Sequence, residues 1–347
     1  MGISMVKPMK LARGLFQGQE TRPSSSTAGE PTTNSAAGLG EQRVPDPKAF
    51  TFMELKAATG NFGAENVVGE GEYGILFKGW VDQKTLAPSS QPGTGMAVAV
   101  RILSRRMLRP INQETEYEVK GWAQFQHKNI VRLIGYCLDD STQHLMVHEF
   151  IGTGSTLHNH LFERDDRLME LWSIRIRLAV DVARGLCYLH GLNGNVFYGD
   201  LKPTHIFLDS DYTAKLSDVG IKGISIFYNR QGSSIGHAHA MTIPETAYMS
   251  PEHCQTGTCT KKSDVYCFGM VLLELLSGRS MSSIHPQYRW QPLRKKSIIQ
   301  IMDPRIRCYP MKEAKVAVSI AYKCIQVNPG ERPLMADVLS NLTRIVY

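Results

Sequence analysis

The sequence lacks any uninterrupted apolar run near the roughly 18 residues that a membrane-spanning helix needs, so an integral membrane protein is not expected. The amino terminus also lacks an apolar segment followed by a small-residue cleavage site, and no secretory signal is predicted. The seven cysteines are odd in number, scattered and absent from the first third of the chain. This distribution argues against a disulfide framework and favours a reducing compartment, so the protein is expected to be intracellular.

Bulky apolar residues are nearly absent from residues 21–48, which are rich in Ser, Thr, Gly, Ala and Pro. Such a segment cannot bury enough surface to offset its chain entropy, and residues 1–49 are expected to form a flexible tail. Its basic start would touch an anionic membrane at most peripherally. Gly2 invites N-myristoylation, but Val6 stands where the motif needs Ser or Thr, and no nearby cysteine offers a second acylation site. An unmodified start is the preferred interpretation.

The remaining chain has the composition of a globular protein, with 42% hydrophobic and 20% charged residues. A length of 347 residues suggests two compact units or one bilobed unit. The net charge of +7 permits contact with nucleic acid, anionic membrane or phosphorylated ligands without selecting among them. Short basic clusters at residues 105–109 and 294–296 lack interleaved aromatic residues, so no nucleic-acid partner is predicted.

Residues 50–151 read as a small, mostly β unit with one helix that carries Glu114, Glu118 and Phe125. Residues 82–95 read as a long loop between two of its strands. Its strand-like runs are Val67–Gly69, Ile75–Trp80, Met96–Leu103, Leu133–Cys137 and Leu145–Phe150.

Residues 152–347 read as a mainly helical unit. Apolar residues at helical spacing between Trp172 and Cys187 predict one amphipathic helix. Residues 264–276 are apolar on nearly every side, which predicts a helix buried in the middle of the unit. Two more helices are predicted at residues 314–324 and 333–345. The fold class is therefore α+β, with β-rich and helical parts segregated along the chain.

A glycine motif, Gly69-Glu-Gly-Glu-Tyr-Gly74, lies between two strand-like runs. It does not match the dinucleotide-binding pattern, which opens a helix. Glycines at this spacing let a backbone approach phosphates closely, but alone they indicate only a Gly-rich hairpin. The function therefore depends on which motifs follow.

Those motifs follow in one recognisable order: Leu133-Ile-Gly-Tyr-Cys137, Gly199-Asp-Leu-Lys202, Leu216-Ser-Asp218, Ser250-Pro-Glu252, Ser263-Asp-Val-Tyr266 and Glu331-Arg-Pro333. Together with the entry Phe50-Thr-Phe-Met-Glu-Leu-Lys-Ala-Ala-Thr59, they make residues 50–345 resemble a protein kinase. The closer resemblance is to plant receptor-like cytoplasmic kinases of subfamily VII. It implies a bilobed protein kinase fold, with a small N-lobe (residues 50–151) and a large C-lobe (residues 152–347).

The resemblance also implies roles for individual residues. Asp200 would accept the proton of a substrate hydroxyl, and Lys202 would steady the transferring phosphoryl group. Asp218 and His205 stand at the metal-binding positions. Structural roles are implied for Glu118, Glu252, Asp264 and Arg332. The implied ATP-binding residues are Val68, Gly69, Glu70, Gly71, Gly74, Leu76, Ala99, Arg101, His148, Glu149 and Ile151.

Five departures from the family pattern bear on catalysis. Arg101 replaces the strand lysine. His205 replaces the catalytic-loop asparagine, whose side-chain oxygen is a hard ligand and suits Mg²⁺ better than an imidazole nitrogen does. Val219 replaces the phenylalanine of the Asp-Phe-Gly motif. Gly199 replaces the arginine before the catalytic aspartate, and residues 244–248 depart from the substrate-positioning pattern. Since losing one preorganised contact costs on the order of 10² to 10³ in rate, efficient phosphotransfer is not expected.

We therefore predict a catalytically impaired pseudokinase that binds ATP weakly or not at all and for which Mg²⁺ or Mn²⁺ binding is doubtful. By resemblance it would act as a scaffold, decoy or allosteric partner of receptor kinases in immune or developmental signalling. The alternative is an active Ser/Thr kinase that tolerates Arg101 and His205, or one in which Lys78 supplies the missing charge. A solvent-facing Lys78 is the preferred interpretation. The predicted location is cytoplasmic, with at most peripheral contact with the plasma membrane.

Overall fold

The computed structural model describes residues 46–71, 73–89, 91, 93–104, 113–139, 143–152, 154–192, 196–217, 247–281 and 297–346. The amino-terminal part is a six-stranded sheet in the order β1-β5-β6-β4-β3-β2, in which β1 runs parallel to β5 and the other neighbours are antiparallel. Its strands are β1 (Lys48–Ala49), β2 (Val67–Gly71), β3 (Gly74–Val81), β4 (Met96–Leu103), β5 (Leu133–Asp139) and β6 (Gln143–Glu149).

Two helices accompany this sheet, α1 (Phe52–Ala58) and α2 (Gln113–Trp122). Alternate residues of the central strands, such as Val98 and Val100 of β4, are fully buried against α1, as the period of two in a strand requires. The short strand β1 means that regular structure begins just before Phe50, where the sequence placed its start. Helix α2 ends at Trp122, so Phe125 lies beyond the helix in which the sequence placed it.

The carboxy-terminal part is helical, with one two-stranded sheet formed by β7 (Ile206–Leu208) and β8 (Ala214–Leu216). Its core centres on α5, in which every residue from Ser263 to Ser277 is buried, as predicted for a helix that is apolar on nearly every side. The helices are α3 (Trp172–Gly191), α4 (Pro251–Thr256), α5 (Lys261–Ser277), α6 (Ile298–Ile301), α7 (Met311–Cys324) and α8 (Met335–Val346).

The four helices that the sequence predicted in this part are present, at α3, α5, α7 and α8, with ends shifted by up to four residues. The apolar stripe of α3 faces the core, where Ile176, Ala179, Ala183 and Leu186 are fully buried. No helix among the described residues has the length and apolar character needed to cross a bilayer.

Candidate functional site

A cleft of about 350 Å³ lies between the amino-terminal sheet and the helical part. Leu76 of β3 and Ala99 of β4 form part of its roof, and Phe207 of β7 lies on the opposite, helical side. Glu149 at the end of β6 and Ile151 in the segment that follows also line the cleft. Its lining residues are Leu76, Ala99, Arg101, Val131, His148, Glu149, Phe150, Ile151, Gly154, Phe207 and Ser217.

The segment that joins the two parts of the chain is fixed by Glu149. Its Oε1 accepts hydrogen bonds from the Arg132 backbone N–H at 3.0 Å and from Lys215 Nζ of β8 at 2.9 Å. His148, next to it, is buried and lines both this cleft and a second, small cavity. The second cavity is otherwise apolar, with Trp122 and Met146 in its wall. A small histidine ring therefore separates the two cavities.

Arg101 lies in the middle of the sheet, because β4 pairs with β3 on one side and β6 on the other. Its register partners are Leu76 and Met146. The side chain is only 9% exposed and lines the cleft. An arginine thus lines the cleft at the position where the family pattern has lysine. The side chain of Glu118, its expected partner, lies outside the described residues.

The glycine motif forms the β2–β3 hairpin over the cleft. Gly74 has φ of +116°, and a Cβ there would lie 1.9 Å from the Ile102 carbonyl oxygen, so only glycine fits. By contrast, Gly69 and Gly71 are exposed and face open space. Val68 lies close to Gly154, since a Cβ added to Gly154 would lie 2.5 Å from its Cγ1, but it does not line the cleft. Glu70 is exposed and does not line the cleft.

Three side chains meet Asp200 at the same carboxylate oxygen. The Tyr73 hydroxyl donates a hydrogen bond to Oδ2, Lys202 Nζ lies 3.1 Å from Oδ2, and His205 Nδ1 lies 3.3 Å from it. His205 Nδ1 also lies 3.0 Å from the Asp200 carbonyl oxygen. Lys202 is 13% and His205 11% exposed in their side chains. Asp200 therefore sits in a largely enclosed, hydrogen-bonded cluster.

The loop that carries Asp200 is held by hydrogen bonds to Asp264 of α5. The Asp264 side chain is fully buried. One oxygen of Asp264 accepts from the Gly199 N–H at 2.7 Å, and the other accepts from the Tyr198 N–H at 2.6 Å. His190 Nε2 lies 2.8 Å from the same carboxylate. Gly199 has φ of +89°, a conformation that a side chain would strain, so the residue that replaces arginine suits this backbone.

An ion pair in the helical part joins Arg332, which is buried, to Glu252. Arg332 donates to both oxygens of Glu252 at 2.7 Å and to three backbone carbonyls, among them Lys262. Burial alone would raise the pKa of Glu252, but hydrogen bonds that include those from Arg332 and Ser263 outweigh it and lower the pKa to about 2. Glu252 and Arg332, to which the resemblance gave structural roles, thus form one ion pair.

The structure brings Leu76, Ala99, Arg101, His148, Glu149 and Ile151 together in one cleft and Asp200, Lys202 and His205 in one cluster. Asp218, Val219 and residues 244–246 lie outside the described residues. In the part of the chain that is described, no three His, Cys, Asp or Glu side chains are arranged as metal ligands.

Sequence reasoning missed several contributors, namely Tyr73 at Asp200 and five residues that line the cleft, Val131, Phe150, Gly154, Phe207 and Ser217. Tyr73 stands inside the glycine motif but carried no predicted contact to Asp200. Phe207 follows His205 by two positions and was not assigned to the cleft. Lys78, predicted to face solvent, is half-buried, and its Nζ lies 4.6 Å from the Phe150 ring centroid and 5.4 Å from that of Trp80. Side-chain contacts between distant elements leave no signal in a single sequence.

This combination of a β-rich lobe, a glycine hairpin, a hinge and an anchored aspartate loop is that of a protein kinase. Residues 62–342 match the family model described as protein tyrosine and serine/threonine kinase, and the chain belongs to the protein kinase family.

Its relatives are receptor-like cytoplasmic kinases of plants. Probable serine/threonine-protein kinase PBL10 of Arabidopsis thaliana is 41% identical over 314 residues, which cover 87% of this chain and 74% of that protein. Receptor-like cytoplasmic kinase 176 of Oryza sativa subsp. japonica is 40% identical over 311 residues, covering 86% and 76%.

A solved structure, the pseudokinase domain of BIR2, an immune regulator of the RLK/Pelle family, is also similar. It has a TM-score of 0.66 and 25% identity, and the match covers 88% of this chain and 91% of that one. The bilobed kinase fold that the sequence predicted is thereby confirmed.

Proposed function

We propose that this chain is a catalytically impaired kinase of the receptor-like cytoplasmic type, close to subfamily VII, that acts through binding. The observation that carries the proposal is the engagement of Asp200 by three side chains of the protein itself, Tyr73, Lys202 and His205. A general base works only when its carboxylate reaches the hydroxyl whose proton it takes. Here one of its two oxygens, Oδ2, is already engaged within the chain.

The residues of the cleft fit the adenine part of ATP better than they fit the metal ion that accompanies ATP. Leu76 and Ala99 above and Phe207 below would enclose the base, and the backbone of residues 149–151 would offer hydrogen bonds. Lys202 and Arg101 would face the phosphates. His205 offers a softer nitrogen ligand in place of an oxygen, and its Nδ1 already contacts Asp200, so Mg²⁺ is disfavoured relative to Mn²⁺. Bound ATP would supply the transferable phosphoryl group.

In cells, the proposed role is that of a scaffold, decoy or allosteric partner of receptor kinases in immune or developmental signalling. Support comes from relatives that are named receptor-like cytoplasmic kinases and from a structural neighbour that is a pseudokinase and immune regulator. A cytoplasmic location with at most peripheral contact at the plasma membrane through residues 1–49 completes the proposal. The competing function, an active Ser/Thr kinase, is favoured by the names of relatives such as PBL10 and by the presence of Asp200 and Lys202.

Phosphotransfer from labelled ATP by the full chain, with Mg²⁺ or Mn²⁺, tests the proposal. We expect the wild type to stay near background and Arg101→Lys, which restores the compact ammonium, to raise incorporation by about tenfold or more. Arg177→Lys, on the exposed face of α3, is the matched control and should change nothing. Incorporation by the wild type that is abolished in Asp218→Asn would establish the active-kinase alternative instead.

A further inference from the structure

The Tyr73 side chain occupies the space between the glycine hairpin and the loop of Asp200. Its ring is 3% exposed, its hydroxyl donates to Asp200 Oδ2, and its backbone carbonyl accepts from the Ser104 N–H at 3.0 Å. The backbone at this position is therefore tied to the end of β4 while the side chain reaches down across the cleft. The contact joins residues that are 127 positions apart in the chain.

Two side chains of the loop that carries Asp200 lie against the Tyr73 ring. Lys202 Nζ lies 5.8 Å from the ring centroid, within the range of a cation–π contact. The His205 ring lies 5.0 Å away, centroid to centroid, with an angle of 33° between the planes. An asparagine at position 205 would offer no such flat surface. The substitution that weakens the metal site therefore also builds the surface on which Tyr73 packs.

Burial adds to the stability of this conformation. Tyr73 belongs to an apolar cluster that contains Leu103 of β4, Val119 of α2 and Met146 of β6. The inward position of the tyrosine thus combines apolar burial with a hydrogen bond to a carboxylate, a stronger class of bond than one between neutral groups.

We propose that Tyr73 is an autoinhibitory cap on Asp200. Its hydroxyl stands where a substrate hydroxyl would have to donate, and its ring fills space below the hairpin that would cover nucleotide phosphates. Nucleotide phosphates and an incoming hydroxyl compete with the cap, and both require the Tyr73–Asp200 bond to break. Adenosine, which has no phosphates, does not compete. This inference rests on the nucleotide cleft proposed above.

The contact itself is tested without nucleotide by a double-mutant cycle on the full chain. Tyr73→Phe, Asp200→Ala and the double variant are compared with wild type by denaturant-induced unfolding. We expect Tyr73→Phe to raise the unfolding equilibrium constant about tenfold when Asp200 is present and less than about twofold in the Asp200→Ala background. Tyr136→Phe is the matched control. Tyr136 lies in the same apolar cluster, and the variant removes the hydrogen bond of 3.0 Å that its hydroxyl donates to Glu116. The effects of Tyr136→Phe and Asp200→Ala on the free energy of unfolding should be additive.

Competition is then tested by calorimetric titration with ATP plus Mn²⁺ and with adenosine. We expect Tyr73→Phe to bind ATP about tenfold more tightly than wild type does. Its affinity for adenosine should lie within about twofold of the wild-type value. Tyr136→Phe should bind both as wild type does.

The cap proposal is overturned if the effects of Tyr73→Phe and Asp200→Ala on the free energy of unfolding are additive. It is also overturned if wild type and Tyr73→Phe bind ATP with equal affinity. If adenosine binds to no variant, the proposed nucleotide cleft fails instead, and the unfolding cycle still decides whether the Tyr73–Asp200 contact exists.

Discussion

Glu274 of α5 is a carboxylic acid in the middle of the helical core, with no exposed surface. Its Oε1 accepts hydrogen bonds of 2.7 Å from the Tyr248 hydroxyl and from the Met281 N–H. Its Oε2 is buried and has no hydrogen-bond partner among the described residues. Burial raises the pKa of Glu274 to about 8, although the bonds from Met281 and Tyr248 oppose the shift. The residue is therefore uncharged at neutral pH, as an acid in an apolar environment should be.

Glu274→Gln tests this assignment. Because the folded pKa lies above the unfolded value, wild-type stability falls as pH rises from about 4.5 to about 8. Glutamine keeps an acceptor oxygen and does not ionise. We expect the free energy of unfolding of the variant, relative to wild type, to rise by up to about 1.4 kcal/mol per pH unit in that window.

Denaturant unfolding at several pH values measures the effect. Tyr248→Phe is a second variant. It removes a bond that favours the charged form but leaves the acid, so the pH slope should persist. An unchanged slope in Glu274→Gln would show that this carboxyl does not titrate in the window.

Among the elements, α1 shows how local sequence sets a helix. The Glu54 N–H donates to Thr51 Oγ1 at 3.2 Å, and the Thr51 N–H donates to Glu54 Oε2 at 2.8 Å, which is a capping box. Lys48 of β1 then pairs with Glu54 at 3.0 Å. One side chain thus connects the start of the helix to the short strand before it.

Thr51→Ala removes this cap. We expect a loss of about 1 kcal/mol of local stability, because the orphan N–H of the first turn loses its acceptor. Hydrogen exchange followed by mass spectrometry should show faster exchange in α1 and unchanged exchange in the peptide covering α5. Thr51→Ser keeps the hydroxyl and should behave as wild type. Equal protection in Thr51→Ala and wild type would mean that packing of Leu55, fully buried, sets the helix by itself.

At the scale of the whole molecule, Arg175 ties three parts of the helical lobe together. Its guanidinium is fully buried and donates to Asp303 Oδ2 at 2.6 Å and to the Leu275 carbonyl at 2.8 Å. Its Nε donates to the Met169 carbonyl. Burial lowers the pKa of Arg175, and Asp303 opposes that shift. Asp303 in turn also pairs with Arg305 at 2.8 Å.

Arg175→Ala removes the fully buried one of the two arginines that pair with Asp303, and it takes the guanidinium donor away from the Met169 and Leu275 carbonyls. We expect a loss of about 3 to 5 kcal/mol in the free energy of unfolding, the usual cost of breaking a buried pair from one side. Arg177→Ala, two residues further along α3 on its exposed face, should cost less than about 0.5 kcal/mol. Thermal and denaturant unfolding of the two variants side by side measure the difference. Similar losses in both would argue against a specific role for the buried pair.

The sequence by itself determined the longer elements and the family, whereas the short elements β1, α1, β7, β8, α4 and α6 were not predicted. The buried helix α5, the stripe of α3 and most strands follow from periodicity and from uninterrupted apolar runs, which are local properties of the chain. The ordered motifs fixed the kinase fold and identified Asp200, Lys202 and Arg332 as residues of interest. Where a helix ends was harder to predict, as α2 and Phe125 show, because packing decides the last turn.

Only the tertiary structure decided which side chains meet. Nothing in the spacing of the sequence indicated that Tyr73 reaches Asp200, that Lys78 lies over Phe150, or that Glu274 is buried as an acid. These contacts join residues from distant segments, and their geometry depends on how sheet and helices pack against each other. Periodicity reports which face of an element is buried, but it does not report what that face touches.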